Sequence, residues 1–204
     1  MPSVRAVTVY CSASEAVPPV YLDSARDLGR AVARQGWTLV YGGNNVGSMG
    51  RLADGARSAG GKVVGVTPQS LVDAGIADGA CDELIVTATM RQRKALLEER
   101  GDAFVALPGG LGTFEEVFEI LVGRVLGCHD KPILLLNVAD YYRPLLAMID
   151  HGIEHRFIKP RARDAFQIVS SVEQAIVALR NPPRLLDLGA TNPLVEPQAP
   201  SAVE

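Results

Sequence analysis

Short apolar runs that alternate with helical patterns restrict this chain more than any other feature. Runs rich in β-branched residues recur at 6–10, 38–41, 62–66, 84–86, 103–107 and 133–136. Each is long enough for a buried strand and too short for a helix. Between and after them, residues 21–35, 50–59, 91–100, 113–126 and 142–155 place apolar side chains three and four apart, with Gly or Pro near the ends. Parallel strands need crossover connections, so the alternation predicts a doubly wound, Rossmann-like α/β fold: one parallel sheet with helices on both faces. With 204 residues and 48% hydrophobic content, the chain can build one sizeable core and is short for two. The expectation is a single domain over 1–180. From Asn181 onward, Pro182, Pro183, Pro193, Pro197 and Pro200 break any period, which predicts a disordered or loosely docked tail over 181–204.

In such sheets ligands sit where strand C-termini lead into loops and helix starts. Three loops qualify: Cys11-Ser12-Ala13-Ser14, Gly42-Gly43-Asn44-Asn45-Val46-Gly47-Ser48, and Pro108-Gly109-Gly110-Leu111-Gly112-Thr113. The third carries the strongest signal. Glycines let backbone N–H groups approach a phosphate closely, and the start of the following helix attracts its charge. Thr113 can add a hydroxyl donor. The plainer reading is a tight turn in which Thr113 and Glu116 form a capping box. Three glycines within four residues, directly after a strand, favour phosphate.

A carboxylate at a helix start is held ionised by the dipole, so Glu116 is expected to act as a base rather than an acid. A phosphate beside it calls for a cation. Met90-Arg91-Gln92-Arg93-Lys94 supplies a cluster at the start of the preceding helix, the electrostatically poorer end for cations, which hints at a bound anion.

Other motifs fall short. Gly42 to Ser48 has P-loop-like spacing without the lysine, and the dinucleotide fingerprint Gly-x-Gly-x-x-Gly is missing. His151-x-x-Glu154-His155 matches an inverted zinc motif, but Gly152 lies inside it and no third ligand stands at a characteristic spacing. It reads as an exposed polar helix face, and no metal or cofactor is expected. Cys11, Cys81 and Cys128 stand far apart, as reduced intracellular thiols would. The N-terminus lacks a separate apolar leader segment and no apolar run could span a bilayer, so a cytoplasmic location is expected. A formal charge of −3 with scattered Lys and Arg argues against nucleic-acid and membrane partners.

Pro108-Gly109-Gly110-x-Gly112-Thr113-x-x-Glu116, with Arg93-Lys94 upstream, Tyr41-Gly42-Gly43, Val46-Gly47, Met49-Gly50 and His129-Asp130-Lys131-Pro132, resembles the LONELY GUY family over roughly residues 4–180. Members are cytokinin riboside 5′-monophosphate phosphoribohydrolases, often labelled lysine decarboxylases. The resemblance implies hydrolysis of the N-glycosidic bond of N6-substituted adenosine 5′-monophosphates, and of AMP, to free base and ribose 5-phosphate. It implies Arg93 and Glu116 as the catalytic pair, with Lys94, Gly109, Gly110, Leu111, Gly112, Thr113 and Glu115 binding the substrate, and a homodimer. The chain departs from the family at Asn44, where glycine is usual, at Gly75, where an acidic residue is common, and at Val122, where threonine is frequent. Two other readings compete: a module that binds a mononucleotide without cleaving it, and a pyridoxal-phosphate decarboxylase. The latter needs a Schiff-base lysine with a partner for the pyridine nitrogen, and Lys94 is the only lysine in the motif cluster.

Overall fold

A computed structural model describes residues 4–182 of the chain. Seven strands form one sheet: β1 Ala6–Tyr10, β2 Thr38–Tyr41, β3 Val63–Pro68, β4 Glu83–Thr87, β5 Ala103–Ala106, β6 Ile133–Leu136 and β7 Gln167–Val169. Their order is β4-β3-β2-β1-β5-β6-β7, and every pair is parallel. The helices are α1 Pro19–Arg34, α2 Gly47–Ser58, α3 Gln69–Asp73, α4 Met90–Arg100, α5 Leu111–Leu126, α6 Arg143–Glu154 and α7 Val172–Arg180.

The inner strands are apolar on both sides because both sides are covered. Val7, Val9, Leu39, Tyr41, Val105, Leu134 and Leu136 point to a core that includes Leu28 and Val32 of α1, Leu52 of α2 and Leu179 of α7. Tyr10, Val40, Phe104, Ala106, Ile133 and Leu135 point the other way, to Leu97 of α4, Val117 and Ile120 of α5 and Ile149 of α6. This alternation follows the two-residue period of a strand. Each fully buried Leu or Val contributes about 1.5–3 kcal/mol over its exposed state.

The expected α/β architecture is therefore the observed one. β7 and α7 lie beyond the six strands and five helices read from the sequence, and α3 is a short turn of helix between β3 and β4. The expected Pro-rich tail lies, from residue 183 on, outside the described residues. No helix among the described residues is long and apolar enough to cross a membrane. Chain direction across the sheet reverses between β1 and β5. A crevice opens at such a reversal, beyond the strand C-termini.

Candidate active site

Three helices start around that crevice without caps. The N-cap positions are Pro18 for α1, Val46 for α2 and Gly110 for α5; none makes a side-chain cap hydrogen bond, and no acidic residue occupies any of the three first turns. The first bond inside α5 runs from Phe114 N–H to Gly110 C=O at 3.0 Å, so the N–H groups of Leu111, Gly112 and Thr113 precede the helical ladder. The cleft between these starts has a volume of about 310 Å³ and is lined by Ser12, Ser14, Tyr21, Ser48, Gly109 and Tyr141, among others. Ser48 Oγ is buried and has no hydrogen-bond partner among the described residues. Unpaired donors and helix dipoles together favour an anion here.

This start of α5 overturns the capping-box alternative. The helix begins at Leu111 rather than Thr113, and Glu116 hydrogen-bonds Arg93 instead of the helix start. A capping box does exist one helix earlier, where Thr89 and Gln92 close α4 reciprocally. The basic start of α4 therefore needs no anion to satisfy its backbone. Gly109 is required by close approach, since a Cβ there would collide with the Thr113 side chain.

Arg93 and Glu116 meet in the interior behind the glycine loop; neither lines the cleft itself. Arg93 Nη1 donates to Glu116 Oε1 at 3.2 Å, Nε to Val66 C=O at 3.0 Å and Nη2 to Gly42 C=O at 3.1 Å. Arg93 is 5% and Glu116 6% exposed. The guanidinium thus ties α4 to the ends of β2 and β3 and to α5. A Cβ at Gly42 would occupy the guanidinium's place, which explains the glycine after β2. Among the described residues Glu116 accepts no other hydrogen bond, leaving Oε2 available.

Burial raises the Glu116 carboxyl to about 7, with Arg93 opposing the shift and Glu115 adding to it. This corrects the expectation of a carboxylate firmly ionised by the helix dipole. Glu116 lies in the second turn of α5, where it is buried, and desolvation outweighs the opposing guanidinium. A group near 7 is available both as base and as acid at neutral pH. The neighbouring Cys11 thiol is pushed far up by burial and by Glu116, so it stays protonated.

Lys94 and Glu115 are paired with each other. Lys94 Nζ lies 2.8 Å from Glu115 Oε1 and 3.0 Å from Glu119 Oε2, and these two carboxylates raise the Lys94 ammonium above its ordinary value. Gly110 lines the cleft and, like Leu111 and Gly112 after it, is exposed, while Thr113 is buried. Tyr21 and Tyr141 were not foreseen. Tyr141 follows a 3-10 turn, Val138–Asp140, whose Ala139 and Asp140 have φ of 48° and 61°; no short motif marks such a turn. The departures have mixed accounts. Gly75 has φ of 74°, where an acidic side chain would be strained. Val122 is exposed on α5, and Asn44 is buried with Oδ1 unpartnered.

Comparison with known proteins now places the chain. Over 184 residues it is 47% identical to the Rhodococcoides fascians protein named cytokinin riboside 5′-monophosphate phosphoribohydrolase, covering 89% of this chain and 92% of that one. The family described as "Possible lysine decarboxylase" matches residues 49–179. The chain belongs to this family, the LONELY GUY family. A LONELY GUY relative of the same name from Mycobacterium tuberculosis is 42% identical over 172 residues, 84% of this chain and 91% of its own. Among solved structures, the molybdenum cofactor binding protein of Rippkaea orientalis superposes with a TM-score of 0.67 at 28% identity, covering 88% of this chain and 96% of that one. The LONELY GUY signature, Pro108 to Glu116, thus falls on the loop, helix start and buried carboxylate described above.

Proposed function

We propose that the protein hydrolyses the N-glycosidic bond of cytokinin nucleotides, N6-substituted adenosine 5′-monophosphates, and of AMP, releasing the free base and ribose 5-phosphate. The observation that carries this reading is a buried carboxyl raised to about 7, held by Arg93 at 3.2 Å, in the helix whose uncapped start faces an anion-sized cleft. The shared activity in the names of relatives 47% and 42% identical supports it.

N-glycoside hydrolysis builds positive charge on C1′ as the bond to the base lengthens. The Glu116 carboxylate stabilises that charge and takes a proton from the attacking water. The water oxygen bonds to C1′, the electron pair of the C1′–N bond leaves with the base, and the base nitrogen gains a proton. Gly109, Gly110, Leu111, Gly112 and Thr113 hold the phosphate and ribose. Arg93 acts through Glu116 and Gly42, because each of its three nitrogens already donates to a protein acceptor. Lys94 and Glu115 would meet the nucleotide only by exchanging their mutual contact.

A binding module without catalysis is not favoured, since such a module has no use for a buried, unshared carboxylate oxygen. Pyridoxal-phosphate chemistry fares worse, because Lys94 is committed to two carboxylates. We further place the enzyme in the cytoplasm as a homodimer acting on free nucleotides, without nucleic-acid partners. Phe118 and Val122, exposed on α5, with Phe157 on the same groove, form the apolar surface a second copy would cover.

Incubation with a panel of nucleoside monophosphates, followed by chromatography, tests the reading. Release of free base from adenine nucleotides supports it. Intact ligand after long incubation would leave a binder instead.

A further inference from the structure

The motif His151-x-x-Glu154-His155 plays no part in the chemistry above, and the objection raised by Gly152 disappears in the structure. α6 stays helical through Gly152 to Glu154. Gly152 turns toward the following segment, where a Cβ would meet Ile158 Cδ1 at 2.7 Å. The glycine therefore serves packing and leaves the other face free. Positions three and four apart share a helix face, and all three side chains are exposed.

Their ligand atoms are already gathered. One nitrogen or oxygen from each residue lies within 4.8 Å of those of the other two. The imidazole centroids of His151 and His155 are 4.3 Å apart, and His151 Nδ1 lies 3.9 Å from Glu154 Oε2. Ligands about 2.0–2.2 Å from a tetrahedral ion stand about 3.3–3.5 Å from one another. Closure thus asks for side-chain movements of about 1.5 Å or less, within the rotamer freedom of exposed groups.

The backbone beneath them is fixed. Arg156 N–H donates to Ile153 C=O at 3.0 Å and Phe157 N–H to Gly152 C=O at 2.9 Å, with Arg156 at φ of 64°. This pair of bonds is a Schellman cap that pins His155 at the helix end. Helix C-termini attract cations. Asp150, the neighbouring carboxylate, is occupied by Arg163 at 3.1 Å.

We infer that His151, Glu154 and His155 form an open, three-ligand site for a divalent transition-metal ion, with zinc as the representative and the remaining coordination positions left to water. Two imidazoles and one carboxylate favour zinc, nickel or copper over magnesium or calcium, which prefer all-oxygen sites. The site stands apart from the cleft: α6 begins near the strand C-termini and ends at the opposite edge of the sheet. Its occupancy is accordingly independent of nucleotide hydrolysis.

The test is calorimetric titration of Zn²⁺ into the full-length chain, freed of metal and of any histidine tag, with excess Mg²⁺ present. One equivalent is expected to bind, at least about tenfold more weakly in His151→Asn and in His155→Asn, a ligand loss outweighing the effect of outer-shell changes. Cys128→Ser should bind as the parent does, because the exposed Cys128 thiol is the competing zinc ligand. Imidazole NMR signals of His151 and His155 should shift with zinc while those of His129 stay put. No binding, binding that survives loss of both histidines, or binding lost with Cys128 would overturn the site. Melting curves of the variants should match the parent, since neither side chain is buried.

Discussion

Tyr141 donates its hydroxyl proton to the carbonyl of Gly109 at 2.5 Å, so the glycine loop after β5 is held from the turn after β6. The next residue repeats the arrangement, Tyr142 donating to Leu107 C=O at 2.7 Å. Replacing Tyr141 with Phe removes one bond worth about 0.5–1.5 kcal/mol. The loop should then grip phosphate less well, so KM for the nucleotide rises several-fold while kcat changes less. Steady-state kinetics checks this, and an unchanged KM would mean that the loop keeps its shape without Tyr141.

Glu116→Gln should keep the fold, because an amide oxygen still accepts from Arg93. Turnover should fall by about 10²–10⁴-fold, the range for losing a positioned base. Single-turnover assays with nucleotide-binding measurements separate the two effects. Normal turnover in a protein that melts earlier would reduce Glu116 to a structural role.

The pH dependence follows from the same carboxyl. Burial raises it from 4.5 to about 7, and the proposed mechanism uses the ionised form, so kcat/KM should rise with pH and level off above about 7. Stability runs the other way. The folded protein holds this proton more tightly than the unfolded chain, so the Glu116 contribution is complete below about 4.5 and is lost as pH rises through about 7. Denaturant titrations across this window should show a decline in the parent that is flattened in Glu116→Gln. Parallel curves would place the titrating group elsewhere.

A nucleoside monophosphate should be cleaved at least about tenfold better than its nucleoside, since one charge-assisted phosphate contact contributes about 1.5–3 kcal/mol. AMP against adenosine is the direct comparison. Equal rates would show that the uncapped start of α5 does not hold the phosphate.

Periodicity made six of the seven strands legible: β1, β2, β3, β5 and β6 are almost wholly buried, and the edge strand β4, though largely not buried, still carries the apolar run Leu84–Val86. β7 escaped, with three residues at the sheet edge and Ile168 partly exposed. α7 was readable in principle: Ser171 accepts from Gln174 N–H, and Gln174 in turn accepts from Ser170 N–H, a pattern visible as Ser-x-x-Gln. The glycine loop and the Arg93–Glu116 association were legible as motifs. Their electrostatics were not, since the burial that desolvates Glu116 is set by tertiary packing that no local motif encodes. Tyr141 was hidden for a similar reason: only the left-handed turn at Ala139 and Asp140 aims it at Gly109.

Under the proposed function, three helix starts left without caps carry a cost that falls at the end of the reaction. Donors that grip a 5′-phosphate are blind to what happens at C1′, so they favour nucleotide, transition state and ribose 5-phosphate to similar degrees. They decide which molecules enter and how slowly the sugar phosphate departs, and they make inorganic phosphate a rival for the same seat. In the proposed mechanism the speed of bond cleavage is left to Glu116, the one carboxyl placed to sense the changing charge.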